Sequence, residues 1–450
     1  MKKIIIFLFA LLSLNRVINA QTSLQNGDIV IDYASNYSMT YNRPIIRANS
    51  STEIISYHEE DHHGVFTLLN GAAMVDRLEL EYLTFVLDFE VVNGCVYFCG
   101  EKHYSSSNIK GIFGKFNLTE FTATNPSIDI LEFDCGGKPI TYFKKMEMFF
   151  DPILMENIIV AIGHSYKRDP YGNHYDENDF LTILEENSFI SSNPPPSIRC
   201  CEFPNETYHD VIETANFIVL SGELTNQGNT LAFRRIDKTN YNIPNINDIY
   251  TIILPHLEPL TYLLGEGFGG TDMFITSTFA EINNTNGTIL RTYDATIMDE
   301  LYAQFIPCDI DEKTQPYELE YMDATNKILL LQYSTSYPET KIFYIDPMPN
   351  NSYSVYHESF PNNDFYSLAK YTTDSYLAIG FSATNIVYAD KYTQLMAPIN
   401  CVNKGRTKSV IELRFGLKSV SDSKSIITSL LTSLPLSLTK SSKGLSIYCF

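Results

Sequence analysis

One phrase repeats along this chain, and it limits the folds available more than any other feature. Seven short apolar runs begin at Glu53, Val96, Ile158, Phe217, Met273, Ile328 and Tyr376, at steps of 43, 62, 59, 56, 55 and 48 residues. Each is followed by a polar connection and a second β-rich run. The clearest copy spans Val91 to Asn117: a turn at Asn93-Gly94, a strand from Cys95 to Gly100, a polar link and a strand from Ile112 to Asn117. Asn-Gly tolerates positive φ cheaply, so before a β-branched and aromatic run it marks a hairpin. A period of this length with several short strands per unit is a propeller signature. The expected fold is therefore all-β, a single β-propeller of about seven four-stranded blades. Six blades is the alternative, because the Glu53 unit resembles the others least.

The opening runs are almost continuously apolar, as in Ile158-Ile-Val-Ala-Ile-Gly163, whereas partners such as Leu231-Ala-Phe-Arg-Arg-Ile236 alternate. This pattern places the opening runs near the channel, covered on both faces by neighbouring blades, and the partners toward the wetter rim. A leftover N-terminal run, Asp28-Ile-Val-Ile-Asp32, is expected to pair into the last blade and close the ring. Without closure two sheet edges would stay open.

The first 20 residues read as a signal peptide. Lys2 and Lys3 precede the apolar stretch Ile4 to Leu14, and Val17-Ile-Asn-Ala20 is a cleavage site. The apolar stretch is too short to span a bilayer, and no later run approaches ~20 apolar residues. The expected product is exported: secreted, periplasmic or held at the cell surface, with no membrane span. Without Lys2, Lys3 and Arg16 the formal charge falls from −21 to −24. Residues 402–450 carry a net +6, which leaves −30 on residues 21–401. A charge of that size repels phosphate backbones and anionic lipid heads, so nucleic acid is excluded as a partner. Three parts follow: 1–20 the signal peptide, 21–401 the propeller, and 402–450 a non-propeller tail. The tail is rich in Ser, Leu and Lys and contains no blade phrase.

Of eight cysteines, Cys95 and Cys99 share one strand and face the same side, about 13 Å apart, too far to bond. They are expected to be free thiols, and no C-x-x-C zinc pair occurs. His58-Glu59-Glu60-Asp61-His62 matches H-E-x-x-H by letter. That motif needs a helix to bring both histidines to one metal. Here it follows a strand, so a solvated hairpin tip is expected and no metal site is assigned. The polar stretch Ser165 to Asp179 is expected to be a solvated loop; its carboxylates lack the order of a calcium loop. Gly265-Glu-Gly-Phe-Gly-Gly270 is not a dinucleotide fingerprint, and Asn283 to Gly287 reads as a hairpin turn. No G-x-S-x-G elbow or P-loop is present. No cofactor is implied, and no catalytic or binding residue can be singled out.

Within Val91 to Asn117, the phrase NGCVYFCGE…IKGIFGKFN resembles secreted bacterial β-propeller proteins of unknown function, and the likeness extends more loosely to about Tyr392. It implies fold and export and carries over no catalytic residue. The expectation is a non-enzymatic module binding a glycan or an extracellular protein through one propeller face. The alternative is a polysaccharide hydrolase or lyase with paired carboxylates at the channel mouth. Tyrosines and amides at that mouth would favour the binder.

Overall fold

The computed structural model describes residues 30–31, 43–50, 53–70, 73–189, 199–227, 229–241, 249–254, 263–268, 270–282, 285–307, 314–322, 326–334, 339–348, 352–361, 364–370, 375–382, 385–392, 409–412, 436–441 and 444–449. The expected signal peptide and Pro194-Pro195-Pro196 lie outside them. Apart from two 3-10 turns, Leu118–Thr122 and Glu186–Phe189, the regular structure described is strand. No helix among the described residues is long and apolar enough to cross a membrane.

Strand β1 is Val30–Ile31, and the strands after it fall into seven groups. Blade one is β2–β5 (Ile45–Ala48, Glu53–Glu60, His63–Asn70, Ala73–Tyr82). Blade two is β6–β9 (Thr84–Val92, Cys95–Ser105, Asn108–Asn117, Asp129–Phe133). Blade three is β10–β13 (Ile140–Asp151, Glu156–Arg168, His174–Glu185, Arg199–Phe203). Blade four is β14–β17 (Glu206–Glu213, Phe217–Leu224, Thr230–Asp237, Ile249–Ile253). Blade five is β18–β21 (Leu264–Gly267, Met273–Ile282, Thr285–Asp294, Asp299–Pro307). Blade six is β22–β25 (Thr314–Met322, Lys327–Ser334, Glu339–Met348, Ser352–Pro361). Blade seven is β26–β28 (Asp364–Lys370, Ser375–Ser382, Asn385–Tyr392), completed by β1.

The fold is thus a seven-bladed β-propeller with antiparallel four-stranded blades. Its closing strand is N-terminal: Val30 pairs with Val387 and Ile31 with Ile386. Blades two and three are also joined by one parallel pair, Ile140 with Ile109. The first strands of successive blades pack against one another all the way round, β2 to β6, β10, β14, β18, β22, β26 and back to β2.

That ring corrects one expectation. The continuously apolar runs are the second strands, β3, β7, β11, β15, β19, β23 and β27, while the axis is lined by the strand before each. The reason is coverage. A second strand is sandwiched between neighbouring blades, and Ile158 to Gly163 is buried throughout. A first strand turns one side to the channel and can carry charge there.

The core is divided among the gaps between blades. Tyr57, Phe66 and Leu78 of blade one pack with Phe89, Phe98 and Phe116 of blade two, and the Phe66 ring lies 5.1–5.6 Å from those three. Comparable clusters fill the next four gaps. A sheet buries one face on each neighbour, so every blade depends on the next for half its core.

The Asn93-Gly94 turn has φ of 52° and 76°, as its sequence demands. The glycine that closes the apolar run in blades two, three, four and seven has a packing cause. A Cβ on Gly222 would lie 2.0 Å from the Thr207 carbonyl oxygen, and one on Gly100 would lie 2.0 Å from that of Phe85. Gly222→Ala is therefore expected to lower stability by about 1–3 kcal/mol. A change in denaturation midpoint equivalent to less than about 0.5 kcal/mol would mean that the first strand gives way freely.

Residues 395–450 form a separate compact unit. Within it β29 (Ser409–Glu412), β30 (Leu436–Ser441) and β31 (Gly444–Cys449) make an antiparallel sheet with β31 in the centre.

Candidate functional site: the axial channel

The seven first strands enclose a cavity of about 290 Å³, and each supplies it with at least one ionisable side chain. Arg47 comes from β2, Asp88 and Glu90 from β6, Lys145 and Glu147 from β10, and Asp210 and Glu213 from β14. Glu266 comes from β18, Glu318 and Glu320 from β22, and Lys370 from β26. Eight carboxylates face three cations, a formal lining charge of −5.

Local strand geometry puts the charges there. The pairing between first and second strand slips by one residue in blades two, three, four, six and seven, skipping Leu87, Lys144, His209, Tyr317 and Tyr366. Such a bulge bends the first strand and re-aims its side chains. The residue after the slip is Asp88, Lys145, Asp210, Glu318 or Ser367, and the first four of these line the cavity.

The first strand has no sheet neighbour on the axial side, so its N–H groups need other partners. The preceding blade provides them. Asp88 Oδ2 accepts Met146 N–H at 3.1 Å, Asp210 Oδ2 accepts Gly265 N–H at 2.7 Å, and Ser367 Oγ accepts Ile46 N–H at 3.3 Å. Before the slip, Val86 N–H donates to Tyr57 Oη at 2.8 Å, Tyr208 N–H to Asp179 at 2.7 Å, and Phe365 N–H to Thr340 Oγ1 at 2.9 Å. One device, a side chain clasping the next blade's backbone, thus recurs around the ring.

Arg47 shows what the cavity accommodates. Its guanidinium bonds Asp88 at 3.0 Å and Glu90 at 3.2 Å, and it lies 3.9 Å from Glu318 on the far side of blade seven. Blades one and six can meet only at the axis. Burial and mutual repulsion raise the carboxyls. Asp210 is pushed up to about 6 by burial, with Asp88 and Glu318 adding to the shift. Glu90 is raised to about 7 by burial, with Arg47 opposing, and Glu320 is likewise raised to about 7. Glu147 and Glu266 are raised well above the usual range, first by burial and then by neighbouring carboxylates.

Aromatic or basic groups stand at four of the five skipped positions, Leu87 being the exception. Tyr317 stacks on Tyr333 at 5.6 Å and on Tyr366 at 5.2 Å, with the Arg43 guanidinium 3.9 Å from the Tyr317 ring centre. In blade three, Lys144 and His164 Nδ1 each bond the buried Asp179 at 2.7 Å. The cavity lining itself is mainly acidic: Tyr321 is the tyrosine among its residues, and the Tyr317, Tyr333 and Tyr366 stack lies outside it.

Other stretches resolve differently. His58 and Glu59 are buried on β3 rather than solvated, and only Asp61 and His62, at positive φ, form the exposed tip. Burial, with Arg77 adding, pushes His58 down to about 3. Both histidines of the H-E-x-x-H match therefore sit on a hairpin. Ser165 to Asp179 is mostly ladder, a long hairpin of β11 and β12 whose turn Asp169 closes by accepting Tyr171 and Asn173 N–H at 2.8 Å. Its carboxylates diverge to separate partners: Asp176 to Lys167, Glu177 to His174 and Asp179 to Lys144 and His164. The glycines of 265–267 belong to β18, where a Cβ on Gly267 would lie 1.7 Å from the Glu213 carbonyl oxygen. β19 and β20 pair up to Ile282 and Thr285, which fits the expected hairpin. Cys95 and Cys99 are free thiols.

Sequence reading missed the channel residues, although a weak signal was present. A charged residue, an apolar one and then Glu occur at Asp88-Phe89-Glu90, Lys145-Met146-Glu147 and Glu318-Leu319-Glu320, each ahead of an apolar run.

Neither a protein-family model nor a curated protein sequence matches the chain. Among solved structures it is similar to the dihydro-heme d1 dehydrogenase NirN, with 9% identity, 80% of this chain and 68% of that one covered, and a TM-score of 0.41. It is similar to the NanB sialidase of Streptococcus pneumoniae, with 7% identity, 76% and 83% covered, and a TM-score of 0.39. It is also similar to Porphyromonas gingivalis dipeptidyl peptidase 4, with 11% identity, 90% and 64% covered, and a TM-score of 0.42. These likenesses carry no argument about ligand or activity.

Proposed function

We propose that the chain is an exported, non-enzymatic binding module whose axial channel takes a cationic group, the lysine or arginine side chain of an extracellular protein partner. The observation that supports this is the lining itself: carboxylates converge from five of the seven first strands on a small cavity that already holds the Arg47 guanidinium among them. A compact acidic cavity concentrates cations and repels anionic glycans. Its size, near the lower end for ligand sites, suits one side chain better than an oligosaccharide.

The test is a binding screen of lysine- and arginine-containing peptides beside a glycan array, at two salt concentrations. Binding of basic peptides is expected, weakened by salt and reduced about tenfold or more by Glu320→Gln. Affinity is expected to rise between pH 5.5 and 8, as Asp210, Glu90 and Glu320 lose their protons at about 6, 7 and 7. Salt-insensitive binding of neutral glycans alone would overturn the reading. Turnover of a polysaccharide without peptide binding would replace it with the hydrolytic alternative, for which carboxyls near 7 are suited as general acids.

A further inference from the structure

Strand β10 joins the channel to an exposed apolar turn. Glu147 lines the cavity, and the strand continues to Asp151 before the connection 152–155 leads into β11. Phe150 is 53% exposed, Ile153 81%, Leu154 44% and Met155 73%. Large apolar side chains clustered this openly are unusual on a surface with no partner.

The turn is held in place. Asp151 Oδ1 accepts Ile153 N–H at 2.7 Å and Leu154 N–H at 3.2 Å, and Oδ2 accepts the Tyr241 hydroxyl of the next blade at 2.8 Å. The side chains are presented outward by a backbone fixed at both its acid and its neighbour. The cavity opens toward the same end. Glu213 is the last residue of β14, lines the cavity, and has a side chain 45% exposed. Lys238 bonds Glu213 there, so an ammonium is already accommodated at this rim. At ~3.3 Å per residue, Asp151 lies about 13 Å from Glu147.

From this geometry we infer that the turn 150–155 and the channel are two halves of one docking surface, and that its occupant is an extended segment of a protein partner. The segment carries a lysine or arginine that enters the channel and, four to six residues away, apolar side chains that cover Ile153 and Met155. Charge complementarity selects the occupant, since eight carboxyl groups outnumber three cations in the lining and a basic chain is attracted as they ionise. The inference rests on the channel taking a cation and adds the partner's second contact and its spacing.

The test uses the full chain and labelled synthetic peptides with one lysine and a Leu-Phe pair separated by one to nine serines, beside a lysine-only control, read by fluorescence anisotropy. Affinity is expected to peak at a separation of four to six residues, about tenfold above the control. At pH 8 the double variant Ile153→Ser, Met155→Ser is expected to remove that gain, and Glu320→Gln to weaken every peptide. A gain that ignores the spacing, or that survives the double variant, overturns the two-part surface and leaves the channel reading standing. A lysine-only peptide that fails to bind, or binds equally well to Glu320→Gln, overturns both.

Discussion

Replacing Asp179 with alanine is expected to lower the unfolding free energy by about 3–5 kcal/mol, the cost of leaving buried charge and backbone without a partner. The carboxylate is only 1% exposed, and three elements converge on it. Lys144 Nζ reaches it at 2.7 Å, His164 Nδ1 at 2.7 Å and Tyr208 N–H at 2.7 Å. Tyr208 begins the next blade, so the loss falls on the joint between blades three and four. Burial alone would raise this carboxyl, but the bonds from His164, Lys144 and Tyr208 outweigh it and hold it below the usual range. Asp179→Asn keeps an acceptor for the backbone N–H and is expected to cost less. Urea midpoints for the two variants check the claim. Equal, small shifts would mean that the blade joint does not depend on this side chain.

The melting temperature is expected to rise as pH is lowered from 8 toward 5. The sign follows from linkage. Asp210, Glu90 and Glu320 have folded values raised to about 6, 7 and 7. Between an unfolded value of about 4 and these folded values the native state binds more protons, so stability falls as pH climbs through that window. For Asp210, which is 6% exposed, the effect is on the order of 3 kcal/mol. Below about pH 4 the trend turns over. Asp179 and Glu186 are held below their ordinary values by their partners, and that stability is lost as they protonate. Calorimetry across pH 4–8 on the protein and on Glu320→Gln tests this, the variant giving the flatter curve. A melting temperature that climbs steadily to pH 8 would show that the channel carboxyls are not raised.

Both effects arise where sequence is least informative. The repeat itself was legible: seven apolar runs, their partner strands and the N-terminal closing strand are paired as expected, although the apolar runs stand one strand out from the axis. A second strand covered by two blades is buried along most of its length and is mainly apolar, and that requirement leaves a local trace. The free thiols Cys95 and Cys99 followed in the same way, from the geometry of one strand.

The channel left no such trace. Asp88, Asp210, Lys144 and His164 belong to none of the motifs read from the sequence. Buried His58 was misplaced because its neighbours Asp61 and His62 do meet water. Sequence alone determined the blade, because strand pairing and coverage act within about 50 residues of chain. Only the tertiary structure decided the site. Its eight carboxylates come from five strands scattered between Thr84 and Met322, and they acquire their shared charge, raised protonation and clasping role only when the ring brings those strands to one axis.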